Sequence, residues 1–340
     1  MPQFSPSLSL ALALAPYPLL LPEKEHVQSL LRQQQNWKEF PFLVKRHGIA
    51  GTVLANISDL GEEKFPQAVL QNLKHFQYQS SLRNMQLLGT LGQLQKLFSA
   101  HQIEFLALKG PLLSHFLYST FNLRTSVDLD LLVAPAEFPR ADALLRENGY
   151  LRYEPSVELS PRQARIHAQY RHHYAYRTSP SGISVELHWN LAEPYYLNAT
   201  LSQNWAQRGV MLQIPGLQCK TLSGEDLLVY SLLHGAKHRW SSAKLLLDVL
   251  ALLRRSDDLN WEQVRASIHQ ARMERIAAQA LALIKTIWGQ ETPPALQFLA
   301  RVERNVEFLM RFSLEALTWR ATENRRDPRW FIYGFLIKPG

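Results

Sequence analysis

The sequence predicts an α+β chain in three parts: a helical region over 1–100, a mixed α/β core over 101–220 and a second helical region over 221–340. Three observations predict it. Apolar residues recur at three- and four-residue spacing in the first and last thirds. Short apolar runs ended by glycine or turn residues fill the middle. Within that middle, "RTSVDLDLLV", Arg124 to Val133, sets two aspartates into a run that otherwise reads as a buried strand. Ionised carboxylates in such a place must be hydrated, paired or metal-bound.

The elements follow in order. The opening apolar run is broken by Pro16, Pro18 and Pro22 and has no basic residue before it. A signal peptide wants a basic start, so a short helix packed on the body is expected. Leu30, Leu31, Trp37, Phe40, Phe42 and Leu43 fall in broken helical spacing. Leu82, Met85, Leu88, Leu91, Leu94 and Leu97 recur at three and four, predicting a longer amphipathic helix. "IEFLALKG" reads as a strand ended by Gly110, and Pro111 then opens a helix, where proline is well tolerated. "SVDLDLLV" is the next strand, followed by a helix closed by Gly149. "HHYAYRTSPSGISVELHW" reads as a hairpin turning at Ser179-Pro180-Ser181-Gly182. From about residue 222 the texture is helical again, ending in a basic-aromatic tail.

Bulk properties narrow the functional classes. Lysine and arginine exceed aspartate and glutamate by 37 − 29 = 8, with a pI near 9.5. That balance favours anionic partners such as nucleotides, RNA or membrane surfaces. Cys219 is the one cysteine, which excludes an internal disulfide and a cysteine-based metal site. A reducing compartment suits this, and a cytoplasmic location is expected. No segment reads as long and apolar enough to span a bilayer.

The chemistry gathers on two strands. Alternate strand residues share a face, so Asp128 and Asp130 point the same way, their Cα atoms about 6.5–7 Å apart. Like charges at that distance push one group towards protonation unless a cation lies between them. Oxygen ligands without cysteine point to Mg²⁺ or Mn²⁺. In "ISVELHW", Glu186 is again polar on an apolar strand, and His188 shares its face. If the two strands are neighbours, three carboxylates converge, enough to hold divalent cations for a phosphoryl displacement. The bland alternative is an edge strand with a solvated polar face. Upstream, Lys109-Gly110 ends a strand and opens a helix. Glycine lets the backbone approach an anion, and the helix start offers free N–H groups; the alternative is an ordinary strand-to-helix turn.

Together these residues resemble the nucleotidyltransferase superfamily with the DNA polymerase β-type fold. Its pattern is a glycine turn opening a helix, an Asp-x-Asp strand, and a third acid on a neighbouring strand. More closely, "LALKG", "LRTSVDLDLLV", "VELHW", "LLHGAKHRW" and "LLLDVL" resemble a bacterial group of uncharacterised nucleotidyltransferases over most of residues 30 to 260. The resemblance implies a small mixed sheet with helices, flanked by helical regions. It implies metal binding and catalysis by Asp128, Asp130 and Glu186, with Lys109 and Gly110 facing the triphosphate of an NTP. The implied reaction is attack on the α-phosphate with release of pyrophosphate. One departure stands out. Pro111 occupies the position where the superfamily usually has serine, so phosphate contacts are expected from Ser114, one turn along, and from Lys109 and Arg124.

The remaining clusters are read beside this site. "HGAKHRW" places His234 and His238 on one helix face, and with Lys237 they are assigned to the nucleotide. The alternatives are a helix-packing cluster, or a metallohydrolase centre with Asp248. Asp248, in an apolar run, is expected to be buried against Lys237, His238 or Arg239. "RHHYAYR" is read as an ordinary polar hairpin face or as a nucleotide- or RNA-binding surface. The tail is expected to dock on the helices.

The leading reading is therefore a metal-dependent nucleotidyltransferase. Its acceptor, whether protein hydroxyl, RNA end, modified peptide or small metabolite, is left open, as are the NTP and the oligomeric state. The alternative is a catalytically degenerate nucleotide- or RNA-binding scaffold of the same fold.

Overall fold

The computed structural model describes residues 4–178, 182–197, 199–301, 304–318 and 327–338. The chain forms two compact units, Met1–Gln79 with Leu227–Gly340, and Ser80–Asp226.

The helical unit begins with α1 (Pro6–Ala13), α2 (Leu21–Leu31), α3 (Phe40–Arg46), α4 (Ala50–Leu60) and the first turns of α5 (Gln67–Ala100). Ser5 caps α1 by accepting from the Leu8 N–H, and Pro6 opens the helix. Leu8, Leu10, Leu12 and Leu14 are buried, so the opening apolar run is a packed helix. Its last carbonyls are satisfied from within this unit. Trp288 Nε1 donates to Leu12 at 2.7 Å, and the Asn56 amide donates to Leu14 and Pro16. Among the described residues no helix is long and apolar enough to cross a membrane.

The second unit carries β1 (Phe105–Ala107), α6 (Gly110–Tyr118), β2 (Asp128–Val133), α7 (Phe138–Glu147), β3 (Tyr150–Glu154), α8 (Pro161–Tyr170), β4 (His173–Thr178), β5 (Ser184–His188), α9 (Ala199–Gln207), β6 (Val210–Ile214) and β7 (Leu217–Thr221). The strands make one mixed sheet in the order β3-β4-β5-β2-β1-β7-β6. β2 runs parallel to β5 and antiparallel to β1; β4 and β5 form the predicted antiparallel pair. Ser179, Pro180 and Ser181 of the predicted turn lie outside the described residues. One sheet face packs on α5, α6 and α7. Leu129, Leu131, Val133, Val185 and Leu187 meet Leu91, Leu94, Phe98, Leu112 and Leu145 there. The opposite face carries the polar residues of β2, β4 and β5.

Three expectations need correction. Along α5 the buried line is Leu87, Leu91, Leu94 and Phe98, whereas Leu82 and Met85 are exposed. The helix is longer than the surface it covers, so its apolar residues do not form one continuous stripe. Phe42 is likewise exposed, while Phe40 and Leu43 are buried. In "RHHYAYR", Tyr174 and Tyr176 are core residues, with Tyr176 Oη donating to Asp142 of α7 at 2.6 Å. Strand alternation turns both tyrosines inward, so the segment is not a uniform polar surface.

The chain returns to the helical unit through α10 (Gly224–Lys237), α11 (Ala243–Leu253), α12 (Trp261–Gln270), α13 (Glu274–Trp288), α14 (Arg304–Thr318) and α15 (Arg329–Leu336). α15 docks through Tyr333, which is 1% exposed and shares hydrogen bonds with Gln279 of α13. The tail residues 319–326 lie outside the described residues. α11 is started by His47: its carbonyl accepts from Lys244 N and Ser242 Oγ, and its Nδ1 from Ala243 N. Burial first, then the neighbouring Arg46 guanidinium, pushes the His47 pKa down to about 3.

A neutral buried histidine makes stability pH-dependent. Between about 3 and 6.5 the unfolded chain binds a proton that the folded chain refuses. Its contribution is therefore complete above 6.5 and is lost as pH falls, by up to about 1.4 kcal/mol per pH unit. Urea melts across this range should show that slope, and His47→Gln should flatten it; an equally steep profile in the variant would refute the assignment.

Candidate active site on the polar sheet face

The register of β2 and β5 builds the site. Asp130 pairs with Glu186, Asp128 with Ser184, and Leu132 with His188. Directly paired strand residues share a face, so Asp128, Asp130, Glu186 and His188 all lie opposite the apolar core. On the next strand, His173 pairs with His188 and Ala175 with Glu186.

His188 sits between the two acids, its Nε2 3.2 Å from Asp130 Oδ1 and 3.3 Å from Glu186 Oε2. His173 Nε2 is 3.8 Å from Glu186 Oε2. On the other side, Lys109 Nζ is 3.3 Å from Asp130 Oδ2. Asp130 and His188 are each 2% exposed, so these contacts are shielded from water. Burial alone pushes Glu186 up, but the hydrogen bond from His188 reverses this and holds its carboxyl below the ordinary 4.5. Burial likewise pushes His188 down, and its hydrogen bonds to Asp130 and Glu186 reverse that, holding it above the ordinary 6.5.

Gly110 lies beside the start of β2. Its φ is +72°, and a Cβ there would meet the Asp128 carbonyl at 3.5 Å, an ordinary contact. Conformation, not space, therefore calls for glycine at this turn. The next segment is clamped. Ser114 Oγ donates to the Thr120 carbonyl at 2.8 Å and accepts from Arg124 N–H at 3.2 Å. The Asn84 amide of α5 donates to the carbonyls of Phe121 and Arg124. Both Ser114 and Arg124 are buried.

The structure thus brings Asp130, Glu186 and Lys109 together, with Asp128 and Gly110 adjoining. Among the described residues, Asp130, Glu186 and His188 form a set whose donor atoms all lie within 4.8 Å; a second such set is His172, His173 and His188. The expected ligands are Asp128, Asp130 and Glu186; His188, unassigned from sequence, joins Asp130 and Glu186 in this set, and its two-residue spacing from Glu186 was the signal. Lys109 reaches a carboxylate, the nearest buried countercharge, where a triphosphate contact was expected. Ser114 holds the loop before β2, a task that occupies its hydroxyl. Carboxylate oxygens with an imidazole are a donor set that suits a divalent cation, and of the two expected ions the nitrogen favours manganese over magnesium.

His234, Lys237 and His238 lie in the helical unit, on α10 and just after it. The His234 ring meets His238 edge-on at 4.6 Å and stacks on Tyr230. His234, His238 and Asp248 are not among the metal-competent sets of the described residues. Asp248 is buried, as expected. Packing explains much of this motif: Arg239 and Trp240 take positive φ, and Trp240 N–H donates back to the Gly235 carbonyl. A Cβ on Gly235 would lie 1.9 Å from the fully buried Trp240 ring.

At the far end of β2 from Asp128, a cavity of about 530 Å³ opens in the same unit, lined by Leu106, Leu132, Trp189, Lys220 and α9 residues including Ser202 and Gln203. Leu132 and Lys220 flank Leu106 in one transverse row of the sheet.

The family model described as "uncharacterised nucleotidyltransferase" matches residues 33–289, about three quarters of the chain. No curated protein matches. The crystal structure of an antigenic nucleotidyltransferase-like protein from Paracoccidioides brasiliensis aligns with 62% of this chain and 94% of its own, at 17% identity and a TM-score of 0.34.

Two measurements probe these contacts. The Glu186 share of the cluster's stability is present above 4.5 and lost as pH falls further; the His188 share is present below 6.5 and lost as pH rises through its folded value. In metal-free protein, NMR titration of the His188 ring should give a midpoint above 6.5, lowered in Glu186→Gln. No movement in that variant would contradict the pairing. Separately, Gly235→Ala should cost about 1–3 kcal/mol by overpacking against Trp240, seen as a lower Tm with altered tryptophan emission. Unchanged melting would show that the ring relocates freely.

Proposed function

We propose that this chain, which belongs to the family of uncharacterised nucleotidyltransferases, transfers a nucleotidyl group from an NTP to an acceptor with release of pyrophosphate. The observation that carries the reading is the pairing of Asp130 with Glu186 across parallel β2 and β5, beside a glycine turn that opens a helix. Asp130 and Glu186, with Asp128 on the same face, would hold the Mg²⁺ or Mn²⁺. When bound, the cation neutralises phosphate charge as the leaving pyrophosphate departs.

The chain's own groups divide the remaining work. The N–H groups at the start of α6 and the Lys109 ammonium meet the triphosphate. Pro111 contributes no N–H, so Lys109 carries more of this contact than it would beside a serine. Glu186 is suited to being a ligand rather than a base, because a carboxyl held below its ordinary pKa is a weak proton acceptor. Ser114 and Asn84 position the loop that delivers Asp128 to the site. We place the acceptor in the cavity beside Leu132, whose volume suits one small molecule or one protruding residue or nucleotide.

A second reading rests on the Lys109–Asp130 contact. If that ion pair persists with nucleotide bound, the site is electrically satisfied without a cation and the chain is a nucleotide-binding scaffold.

Incubation with each α-labelled NTP, Mg²⁺ or Mn²⁺ and cell extract separates the two. The enzyme reading expects pyrophosphate release and a labelled acceptor, with turnover cut by orders of magnitude in Asp130→Asn and Glu186→Gln. Nucleotide binding that survives both substitutions, with no turnover of any NTP, would establish the scaffold.

A further inference from the structure

The sequence motif "RHHYAYR" supplies two histidines that nucleotidyl transfer does not use. His172 lies between α8 and β4, where its carbonyl accepts from the Trp189 N–H at 3.0 Å. That bond holds it against the end of β5. His173 begins β4 opposite His188. The rings of His172, His173 and His188 therefore cluster, with centroids 4.6 Å apart for the first pair, 4.9 Å for His173 and His188, and 5.2 Å for His172 and His188. One donor nitrogen from each ring lies within 4.8 Å of the other two.

We propose that His172, His173 and His188 form a binding site for a transition-metal ion of the zinc class, joined to the acidic site through His188. The spacing fits the ion. A zinc–nitrogen bond of about 2.0–2.1 Å sets an imidazole centre about 3 Å from the metal, so tetrahedral ligands have ring centres about 5 Å apart. The three observed separations bracket that value.

The surroundings fit as well. A metal-binding imidazole characteristically turns its other nitrogen to a carboxylate, which orients the ring. Each ring here has a carboxylate near one nitrogen, at hydrogen-bond distance for His188 and somewhat farther for the other two. His188 Nε2 faces Asp130 and Glu186, His173 Nε2 faces Glu186 at 3.8 Å, and His172 Nδ1 faces Glu193 at 3.7 Å. Among the described residues His188 Nδ1 is buried with no hydrogen-bond partner; coordination would satisfy it. Imidazole donors distinguish this site chemically from its acidic neighbour, since nitrogen ligands suit zinc and carboxylates suit magnesium. Three protein ligands leave one tetrahedral position for water or an anion. The proposal holds whether or not the chain transfers nucleotides.

The test uses the full chain, purified without a histidine tag. Titration with Zn²⁺ should show one tight site in the wild type and binding weaker by at least about 100-fold in His172→Ala/His173→Ala. Mn²⁺ binding at the acids, followed by electron paramagnetic resonance, should be retained in that variant. Wild-type protein that binds no Zn²⁺, a variant that binds it as the wild type does, or parallel loss of Mn²⁺ in a variant that keeps its circular dichroism would each overturn the site. Should the variant not fold, Co²⁺ added to the wild type decides: intense visible absorption of a tetrahedral nitrogen-rich centre supports the site, and the weak spectrum of octahedral oxygen coordination refutes it.

Discussion

Two carboxylates on neighbouring strands, Asp130 buried and Glu186 half-buried, impose the constraint around which this sheet face is organised. Asp130 and Glu186 cannot slide apart. Their pairing is set by the opposite face, where Leu129, Leu131, Val185 and Leu187 are buried. A one-residue slip of β5 against β2 would turn those apolar side chains to the polar side. The core thus fixes the register, and the register fixes the acids. Charge compensation is then obligatory, because buried like charges repel strongly at low dielectric. His188 provides it from two residues along β5, and Lys109 from the turn before α6.

The segment that feeds β2 shows a related economy. Ser114 and Asn84 bind the backbone from Thr120 to Arg124 from two helices. A polar loop next to a charged site would otherwise leave buried carbonyls unpaired. This use of Ser114 bears on the Pro111 substitution. With the Ser114 hydroxyl engaged by the loop backbone, the proposed anion recognition at this turn would fall to main-chain N–H groups and Lys109.

How much of this was legible in the sequence differs by element. The strand–glycine–helix unit, the Asp-x-Asp strand and the β4–β5 pair were legible because each couples a short apolar run to a turn residue. Alternation also placed Glu186 and His188 on one face. Strands β3, β6 and β7 were not read. Leu151 and Met211 are apolar yet exposed on sheet edges, which blurs the in–out pattern that marks a strand. The partner of β2 was conditional, since a parallel pairing depends on contacts far apart in sequence. Sequence shows the charge of Lys109 but not that it lies 3.3 Å from Asp130. In "HGAKHRW" the chemistry of the histidines drew attention from Gly235, whose role is to leave room for Trp240.

The compensating cations also set the terms on which the site can bind anything. In the metal-free chain Asp130 already has Lys109 and His188 beside it. A divalent cation entering there competes with an ammonium for the same oxygen, and a metal bound to His188 competes with its ring proton. In the proposed reaction, triphosphate would resolve the first conflict by offering Lys109 a new countercharge. Cation and nucleotide would therefore bind cooperatively, each removing an obstacle to the other, by linkage through one lysine. A carboxylate pair compensated by residues that can themselves be drawn to phosphate is poised for such exchange.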